Sequence, residues 1–538
     1  MRHLHRILPL LLLASVALCA SARSASAACV VTDYGATGNG VTDDRVAVQS
    51  AINACSASGD REVYFPAGTY SLSRAGSAYY CLNVPSGMRL RGAGQAATVL
   101  AQAAGLAGSV RLLYVSGDDD RIEDLTLDGN KANQSADEHR AGIFATATNR
   151  LLVQHVTARN FTGDGFYLYT GANQSTFFDV LATGNTRDGL VFGASVDGAQ
   201  VVSSRFIGNG AQQIDSEPGA GSTVRNISIT GSTLDGAGVS NDYVLTCSGT
   251  GSASRGSGWN VVGNTLNGGV FVVWTDHVVI ASNVGVNPTT KACFTAYRAS
   301  SDVTIEGNTC QMTQTTVNSL AGVLISGTGA GNMPDRIIVA HNNIKMDYPQ
   351  SFGVRAEGAR SVEIVGNVLR GGGRASATFY AGIHVRATIE AEDFRSAVLQ
   401  GNIISNFGAR GIGISGNGAA RLLALDVSGN TFDDDQATPS MLTGISLDDG
   451  TGAAKEITMI GNQCLGGVAT PVASYPAQAV VLIGGTRGAH AIYSVVGTPE
   501  GQVSAPVGAL AIRRDGGSGT TLYAKESGGN SSTGWVAR

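Results

Sequence analysis

Short alternating apolar and polar runs recur along the chain at a nearly constant spacing from about residue 120 onward. Each unit has a short strand-like run, a Gly-Asn turn, a second short run and a glycine. Residues 185–190 follow residues 161–166 by 24 positions, and residues 209–214 follow after another 24. Repeats of roughly 20 to 30 residues with two or three strands are typical of one coil of a parallel β-solenoid. The pattern therefore predicts an all-β chain.

One helical run, residues 45–54, precedes these repeats, and either Asp43 or Asp44 can cap its first turn. Its apolar residues are expected to face inward: Val46, Val48 and Ile52. The terminal layer of a solenoid has no neighbouring coil to cover it, so this run is predicted to be an N-terminal capping helix.

The composition supports the repeat architecture. A chain of 538 residues is too long for one ordinary compact core, whereas 73 glycines, 14% charged residues and 6% aromatics describe many turns and small apolar strands. The glycines follow no three-residue period, which excludes collagen. The net charge of −5 supplies no basic surface for a nucleic-acid backbone, so we expect no nucleic-acid partner.

The N-terminus reads as a signal peptide. Basic residues precede the apolar run 7–18, and Ala-Ser-Ala at 25–27 forms a small-residue cleavage site, so residues 1–27 are expected to be removed and the protein secreted. No later apolar run reaches about 18 residues, so no membrane span is expected. Of the 8 cysteines, all but Cys19 lie after the signal; we expect buried structural cysteines with one N-terminal disulfide and no metal site.

Three N-terminal motifs carry a resemblance to a known family. Asp-Tyr-Gly-Ala at 33–36, Gly-Asn-Gly-Val-Thr-Asp-Asp at 38–44 and Val-Tyr-Phe-Pro-Ala-Gly-Thr-Tyr at 63–70 resemble the opening segment of the pectate-lyase-like superfamily, including its pectate lyase and glycosidase members. The resemblance implies a right-handed single-stranded parallel β-helix over residues 28–483, with the cap and first coils in 28–100. It also implies an extended carbohydrate polymer as the partner.

Asparagines after glycine mark the coil corners downstream, where the left-handed backbone conformation is needed. They are Asn264, Asn308, Asn367, Asn402, Asn430 and Asn462. Similar sequences stack such asparagines into internal hydrogen-bonded ladders, which implies a structural role here.

The pattern changes near Gly484. Residues 484–538 read as a few short hairpins and resemble C-terminal modules of viral tail-spike and tail-fibre proteins. That resemblance implies a small β module that caps the β-helix or supports a homotrimer, and both alternatives stay open.

The 24-residue period places chemically useful residues in columns, about 4.8 Å apart along the axis. The columns are Phe144, Tyr167, Val191 and Asp215; Thr146, Tyr169, Gly193 and Glu217; and Asp164, Asp188 and Gln212. These columns define a candidate binding face, on which Asp188 and Gln212 are expected to contact substrate.

Asp215 and Glu217 are two residues apart on a predicted strand, so both carboxylates should project to the same side. Two carboxylates held close suppress each other's ionisation, which leaves one as a general acid and the other as a base or nucleophile. That arrangement predicts a catalytic glycosidase pair. A solvated strand face and a calcium ligand pair are the alternatives, so calcium stays open although no cofactor is required.

Five further residues are predicted to bind substrate. Tyr167 and Tyr169 share a strand face and can stack on sugar rings, and Tyr side chains can also donate a proton. Downstream, Trp274 can border the same groove and Arg298 can neutralise a uronate carboxylate, while His139 lies in a polar loop with Arg140 beside it. The alternatives are surface aromatics, a core tryptophan and ordinary loop solvation.

A second resemblance is local. Leu-Thr-Leu-Asp-Gly-Asn-Lys at 125–131 resembles a segment of alginate-modifying epimerases of this superfamily. Those epimerases carry a Tyr-Gly-Phe-Asp-Pro-His type of catalytic segment one coil later, whereas residues 164–169 here read Asp-Gly-Phe-Tyr-Leu-Tyr, without the His and the Pro. The calcium-binding aspartate clusters of pectate lyases and the Asn-Thr-Asp pattern of polygalacturonases are not recognisable.

The sequence therefore leaves several functions open. A secreted polysaccharide-cleaving enzyme is favoured, with hydrolysis or intramolecular glycosyl transfer by Asp215 and Glu217 ahead of β-elimination on a uronate polymer. A non-catalytic carbohydrate-binding or adhesive protein and a polymer-modifying epimerase are the alternatives, because a β-helix face can host any of these.

Overall fold

The chain forms a parallel β-helix, as predicted from the repeat. The structure is a computed structural model and describes residues 28–236, 243–251, 253–315, 319–373, 380–416, 420–447, 456–468, 470–472, 481–485 and 491–538. The predicted signal peptide, residues 1–27, lies outside the described residues. Successive coils pair strand on strand in parallel because each repeat places its apolar run directly above the preceding one.

One face of the β-helix is a 15-stranded parallel sheet, which we call the front sheet. Its strands are Tyr80–Val84, Arg111–Val115, Ala141–Ala145, Asp164–Leu168, Leu190–Gly193, Ile214–Glu217, Tyr243–Ser248, Gly269–Val273, Phe294–Tyr297, Leu320–Ser326, Ser351–Glu357, Ala381–Ala387, Arg410–Gly416, Thr443–Leu447 and Thr470–Val472. Alternate side chains of each strand point into the core or out to the surface.

The remaining strands form two further ladders. The first contains Cys29–Val30, Glu62–Phe65, Arg89–Gly92, Arg121–Asp128, Leu152–Arg159, Ser175–Phe178, Val196–Val202, Val224–Thr230, Gly256–Val262, Thr275–Ala281, Ser301–Glu306, Asp335–Ala340, Ser361–Val365, Phe394–Gln400, Leu422–Ser428, Glu456–Ile460 and Val481–Gly485. The second contains Asn39–Asp43, Gly68–Leu72, Thr98–Gln102, Leu181–Thr183, Arg205–Ile207, Thr233–Asp235, Thr265–Asn267, Val284–Asn287, Thr309–Met312, Asn343–Met346, Val368–Arg370, Ile403–Ser405, Thr431–Asp433 and Gln463–Cys464. A minor pair joins Thr148–Asn149 to Ala172–Asn173.

The N-terminal end is covered by the helix Arg45–Ser58, which packs on the first strands. Val48 and Ile52 are buried in it as predicted. The prediction for Val46 is wrong: this side chain points outward, with 60% of its surface exposed. Asp44 occupies the N-cap position without capping the helix, because its carboxylate accepts the backbone N–H groups of Thr37 and Gly38. Two short 3-10 turns, Val31–Tyr34 and Lys131–Asn133, complete the helical structure of the described residues.

Internal asparagines form the predicted ladder at one coil corner. Asn264, Asn308 and Asn367 are buried, and each accepts or donates an amide hydrogen bond to the asparagine one coil away. The sequence analysis missed two members, Asn283 and Asn342. The ladder therefore runs without interruption from Asn264 to Asn462 along the inside of the helix: Asn264, Asn283, Asn308, Asn342, Asn367, Asn402, Asn430 and Asn462.

Two disulfides join neighbouring segments. Cys29–Cys55 ties the first strand to the capping helix, which confirms the expected N-terminal bridge. Cys293–Cys310 closes part of a central coil and was not foreseen. Among the described residues, Cys81, Cys247 and Cys464 are free thiols.

The C-terminal strands build a separate small core. Val481–Gly485 pairs antiparallel with Ala491–Val495, and Leu510–Arg513, Leu522–Lys525 and Trp535–Ala537 extend this sheet. Tyr493, Tyr523 and Trp535 lie in its core, apart from the continuous core of the coils. Within the described segments, no helix is both long and apolar enough to cross a membrane.

Candidate active site

The predicted residue columns exist on the outer side of the front sheet. Phe144 pairs with Tyr167, Tyr167 with Val191 and Val191 with Asp215. Glu217 stands beside Asp215 on the same strand and face. The register is therefore confirmed over these coils, and the side chains that it brings together can be described as one site.

Three carboxyl groups contact one arginine at the centre of this face, and a fourth, that of Asp215, lies close to two of them. The guanidinium of Arg187 lies 3.5 Å from the Asp164 carboxylate and 3.5 Å from that of Asp188, and it also donates to Glu217. The backbone N–H of Asp188 donates to Asp164 at 3.1 Å, so the turns of successive coils hold the column in place. We call Asp164, Arg187, Asp188, Asp215 and Glu217 the acid cluster.

Burial disfavours the charged form of three carboxyl groups in the acid cluster. Burial raises the pKa of Asp164 and of Asp215 well above the usual value, and the charge of Asp188 raises both further. Burial likewise raises the pKa of Asp188 to about 7, against the opposing effect of Arg187. Burial lowers the pKa of Arg187, but the charges of Asp164, Glu217 and Asp188 outweigh this effect and raise it overall. Arg187 is therefore a permanent cation in the cluster.

Tyr167 connects the acid cluster to the surface. Its hydroxyl donates a hydrogen bond to Glu217 Oε2 at 3.3 Å. Burial, and then the negative charge of Glu217, raises the pKa of the Tyr167 phenol above its ordinary value. The phenol is therefore protonated at neutral pH and suited to donate a proton rather than to accept one.

An open cleft of about 360 Å³ lies beside Tyr167. It is lined by Arg111, His139, Ala141, Phe144, Asp164, Tyr167 and Tyr169. The Arg111 guanidinium rests 4.7 Å from the Phe144 ring centroid and makes no ion pair with any described residue. The side chain of Arg140, by contrast, is fully buried under the loop, which excludes it from the cleft surface.

Aromatic rings continue from the cleft toward the N-terminus. Tyr80 stacks on Tyr114 at 5.2 Å, Tyr114 on Phe144 at 6.0 Å and Phe144 on Tyr167 at 5.6 Å between ring centroids. Tyr169 lies 5.7 Å from Phe144 beside this row. Flat rings spaced at the coil repeat offer successive apolar surfaces on which sugar rings can pack.

The structure brings some of the predicted residues together and leaves others apart. Tyr167, Asp188, Asp215 and Glu217 meet at the acid cluster. The Asp215 carboxylate is buried, accepts bonds from the Ser216 N–H and the Thr246 hydroxyl, and does not line the cleft.

The other predicted residues lie around or beyond this centre. Tyr169 and His139 line the cleft, and the backbone N–H of Gln212 donates to Asp188 at 2.7 Å. Trp274 lies two coils and Arg298 three coils beyond Glu217, on the same face, with the Arg298 guanidinium 4.2 Å from the Trp274 ring centroid.

Sequence reasoning did not select Arg187 or Arg111. Arg187 directly precedes Asp188 in a turn, and its place beside the column that contains Asp164 and Asp188 was the available signal. Arg111 precedes the row of aromatic columns by one coil, but the spacing of the early coils differs from 24 residues, so no column reached it.

Carboxylate oxygens of Asp188, Asp215 and Glu217 lie within 4.8 Å of one another. These are the hard oxygen ligands that Ca²⁺ prefers, so these three residues are the ones that can hold a cation. Arg187 already provides positive charge to Asp188 and Glu217 at the same place.

Two parts of the chain match known family models. Residues 29–119 match the family described as rhamnogalacturonase A/epimerase, pectate lyase-like, and residues 268–464 match the right-handed β-helix region.

Curated relatives come from Azotobacter vinelandii. Mannuronan C5-epimerase AlgE4 is 37% identical over 180 residues, which is 31% of this chain and 32% of AlgE4. Mannuronan C5-epimerase AlgE6 is 35% identical over 179 residues, 31% of this chain and 20% of AlgE6. Alginate lyase 7 is 33% identical over 174 residues, 30% of this chain and 20% of the lyase. The chain thus spans about a third or less of the length of these relatives.

Solved structures with a similar course of the chain include the AlgE4 A-module, at 20% identity and a TM-score of 0.38, covering 85% of this chain and 100% of that one. The tailspike protein 3 of bacteriophage CBA120 has 13% identity and a TM-score of 0.46, covering 95% of this chain and 68% of that one. The family matches and the β-helix confirm the resemblance predicted from the sequence: this chain carries a pectate-lyase-like N-terminal region and a right-handed β-helix region.

Proposed function

We propose that this chain is a secreted enzyme that modifies a uronate-containing polysaccharide by removing the proton at C5 of a uronate unit. The observation that carries the proposal is the Tyr167 phenol, which is held protonated against Glu217 at the edge of a cleft that also contains His139 and the unpaired Arg111. The curated relatives, mannuronan C5-epimerases and an alginate lyase, act on polymers of this class and support the assignment.

Removal of a C5 proton requires the neighbouring carboxylate to be neutralised, because the departing proton leaves charge that the carboxylate must absorb. Arg111 can supply this positive charge from the cleft wall. Asp164 lines the same cleft, where burial raises the pKa of its carboxyl group and the Arg187 guanidinium lies 3.5 Å away, so its repulsion of a uronate carboxylate is reduced. The aromatic row then holds the flanking sugars.

His139 and Tyr167 provide the proton-transfer groups in this mechanism. The imidazole of His139 takes the C5 proton, and the electrons of the broken C–H bond pass into the uronate carboxyl group. If the Tyr167 hydroxyl then protonates C5 from the other face, the sugar is epimerised. If the electrons instead expel the glycosidic oxygen at C4, that oxygen takes the Tyr167 proton and the chain is cleaved by β-elimination.

A second candidate is hydrolysis or glycosyl transfer by Asp215 and Glu217. The closeness of their carboxylate oxygens, within 4.8 Å, and the raised pKa of Asp215 suit an acid and nucleophile pair of the retaining type, whose carboxyl groups lie about 5 Å apart. The burial of Asp215 below the surface makes this arrangement second to the Tyr167 chemistry.

The test uses the mature chain with polyuronates and with neutral polysaccharides in heavy water. Deuterium at C5, unsaturated-uronate absorbance and new reducing ends are followed together. We expect C5 exchange or unsaturated product with a polyuronate, and a loss of about 100-fold or more in kcat for Tyr167→Phe. Tyr169→Phe is the matched control, since it removes a neighbouring hydroxyl that makes no contact with Glu217, and should retain the activity.

Each other outcome has a defined meaning. Reducing ends without C5 exchange or absorbance, lost in Asp215→Asn, would replace the proposal with the glycosidase pair. Binding of a polysaccharide without any product would instead indicate a carbohydrate-binding protein.

A further inference from the structure

Arg298 is a cation without a protein counterion on the front sheet. Its guanidinium packs 4.2 Å from the Trp274 ring centroid and 5.3 Å from that of Tyr297. Its Nε is buried, and in the described part of the chain none of its side-chain N–H groups has an acceptor. Other arginines of this face, Arg187 and Arg355, are paired with Glu217 and Glu357. Arg298 is therefore charged, ordered by stacking and open to an anion.

The corner position that carries Trp274 and Arg298 otherwise holds small residues. Strand pairing places both at the same corner of successive coils, one residue after the paired Val273 and Tyr297. The same pairing extends to Ala194, Pro218, Gly249, Gly327 and Gly358 in other coils. Both large residues have left-handed backbones, with φ of 47° and 55°, which is unfavourable for a bulky side chain. Two large side chains thus occupy adjacent coils where folding favours small ones.

The surface around Arg298 resembles the cleft, because a row of aromatic rings leads to an arginine there as well. Phe271 lies between Tyr243 and Tyr297, at 4.8 Å and 5.7 Å between ring centroids, so a second row of rings leads to Arg298. The indole Nε1 of Trp274 donates to Asn332 at 3.4 Å, which orients the ring beneath the guanidinium. Arg298 on Trp274 therefore resembles Arg111 on Phe144: each is an unpaired guanidinium on an aromatic ring.

We infer that Trp274 and Arg298 form a distal subsite that binds the carboxylate of a uronate unit far along the polymer from the reacting sugar. The inference rests on the proposed function for the choice of ligand. Five strand intervals separate the coil of Tyr167 from that of Arg298, a distance of about 24 Å at roughly 4.8 Å per coil. Only an extended chain of several sugars reaches both places, so the subsite would select long acidic polymers over short ones.

The test measures binding and turnover of uronate oligomers of two lengths, trimers and oligomers long enough to span both sites. We expect Arg298→Gln to weaken the binding of the long oligomer by about tenfold at low salt and to leave the trimer unchanged, since a charge-assisted contact is lost. The difference should shrink as salt screens the charge. Arg298→Lys, which keeps the charge but not the planar stacking, should recover part of the affinity.

Arg225→Gln is the matched control, because Arg225 is an exposed cation on another face, paired with Asp197 at 2.8 Å. Equal long-oligomer affinity for wild type, Arg298→Gln and Arg225→Gln would overturn the subsite even if C5 chemistry is observed. If Arg298→Gln weakens binding of the long oligomer alone but no C5 chemistry is observed, the subsite stands as a site for acidic polymers and the proposed reaction is wrong. A neutral oligomer and a sulfated oligomer of equal length serve as ligand controls. If Arg298→Gln weakens binding of the neutral oligomer as much as that of the uronate oligomer, Arg298 contacts the polymer without recognising an anion, and the subsite is overturned. Equal weakening with the sulfated oligomer would overturn carboxylate recognition in favour of general anion binding.

Discussion

At the scale of single residues, the front sheet shows how burial rather than residue type sets the chemistry of its carboxyl groups. Asp164, Asp188 and Asp215 are almost fully buried, and their pKa values are raised, whereas Glu217 stays at the surface with Arg187 and Tyr167. A sequence records four acidic residues but not which of them are desolvated. The sequence therefore predicted an acidic site and could not assign its protonation.

Asp120 allows this effect to be tested away from the site. It is fully buried, its Oδ1 accepts the Met88 N–H at 2.8 Å and its Oδ2 has no hydrogen-bond partner among the described residues. Burial raises its pKa to about 7 from the model-peptide value of 3.8. Between these two values the folded chain holds a proton that the unfolded chain has released, so stability falls as pH rises from about 4 to about 7.

We therefore expect Asp120→Asn to stabilise the protein at pH 8 more than at pH 5, because the amide keeps the acceptor for Met88 and cannot ionise. Urea unfolding at both pH values measures the difference. An Asp119→Asn variant is the control, since Asp119 is exposed and its pKa is lowered by Arg150 rather than raised. The same pH dependence in wild type and Asp120→Asn would contradict the assignment.

At the scale of elements, the repeat could be predicted from the sequence as far as its spacing stays constant. Leu190 and Ile214 are paired and 24 residues apart, so the 24-residue period predicted the columns through Tyr167 and Glu217 correctly. The next pair, Ile214 and Leu245, is 31 residues apart. Insertions of this kind lie in loops outside the core, where no hydrophobic pattern records them, so the relation of Trp274 to the site could not be derived from the sequence.

The asparagine ladder has the same limit. A glycine before the asparagine marked six of its members, but Asn283 and Asn342 follow Ser282 and His341. Both of these preceding residues adopt the left-handed conformation, at φ of 55° and 54°. The asparagine hydrogen bonds thus keep the same corner geometry from coil to coil. A preceding glycine is common at these corners but is not required.

We expect Asn308→Ala to destabilise the protein by about 2 to 4 kcal/mol, because a buried acceptor and donors lose their partners. The Asn308 side chain accepts the Asn283 N–H at 3.0 Å, donates to the Ile280 carbonyl at 2.8 Å and donates to Asn342 at 2.9 Å. Asn343→Ala, in an exposed position of the next coil, should change the stability by less than about 0.5 kcal/mol. Chemical unfolding of the three proteins would contradict the ladder's role if both variants were equally stable.

At the scale of the whole molecule, the β-helix is quasi-one-dimensional, since each coil contacts mainly its two neighbours. Stability is then a sum of local terms, and an end that loses its cap should open without the rest. The N-terminal end is held by the capping helix and by the disulfide Cys29–Cys55, whereas Cys293–Cys310 lies in the centre.

Removing the first disulfide should therefore weaken one end only. A Cys29→Ser/Cys55→Ser variant loses about 2 to 4 kcal/mol of local stability, and we expect faster amide hydrogen exchange in Glu62–Phe65 and Arg89–Gly92 but unchanged exchange in Ser351–Glu357. A Cys293→Ser/Cys310→Ser variant is the control and should affect central coils alone. Uniformly faster exchange along the chain would contradict this expectation and mean that the coils unfold as one unit. In that case the cleft and the distal subsite would keep a fixed separation on the front sheet until the whole β-helix unfolds.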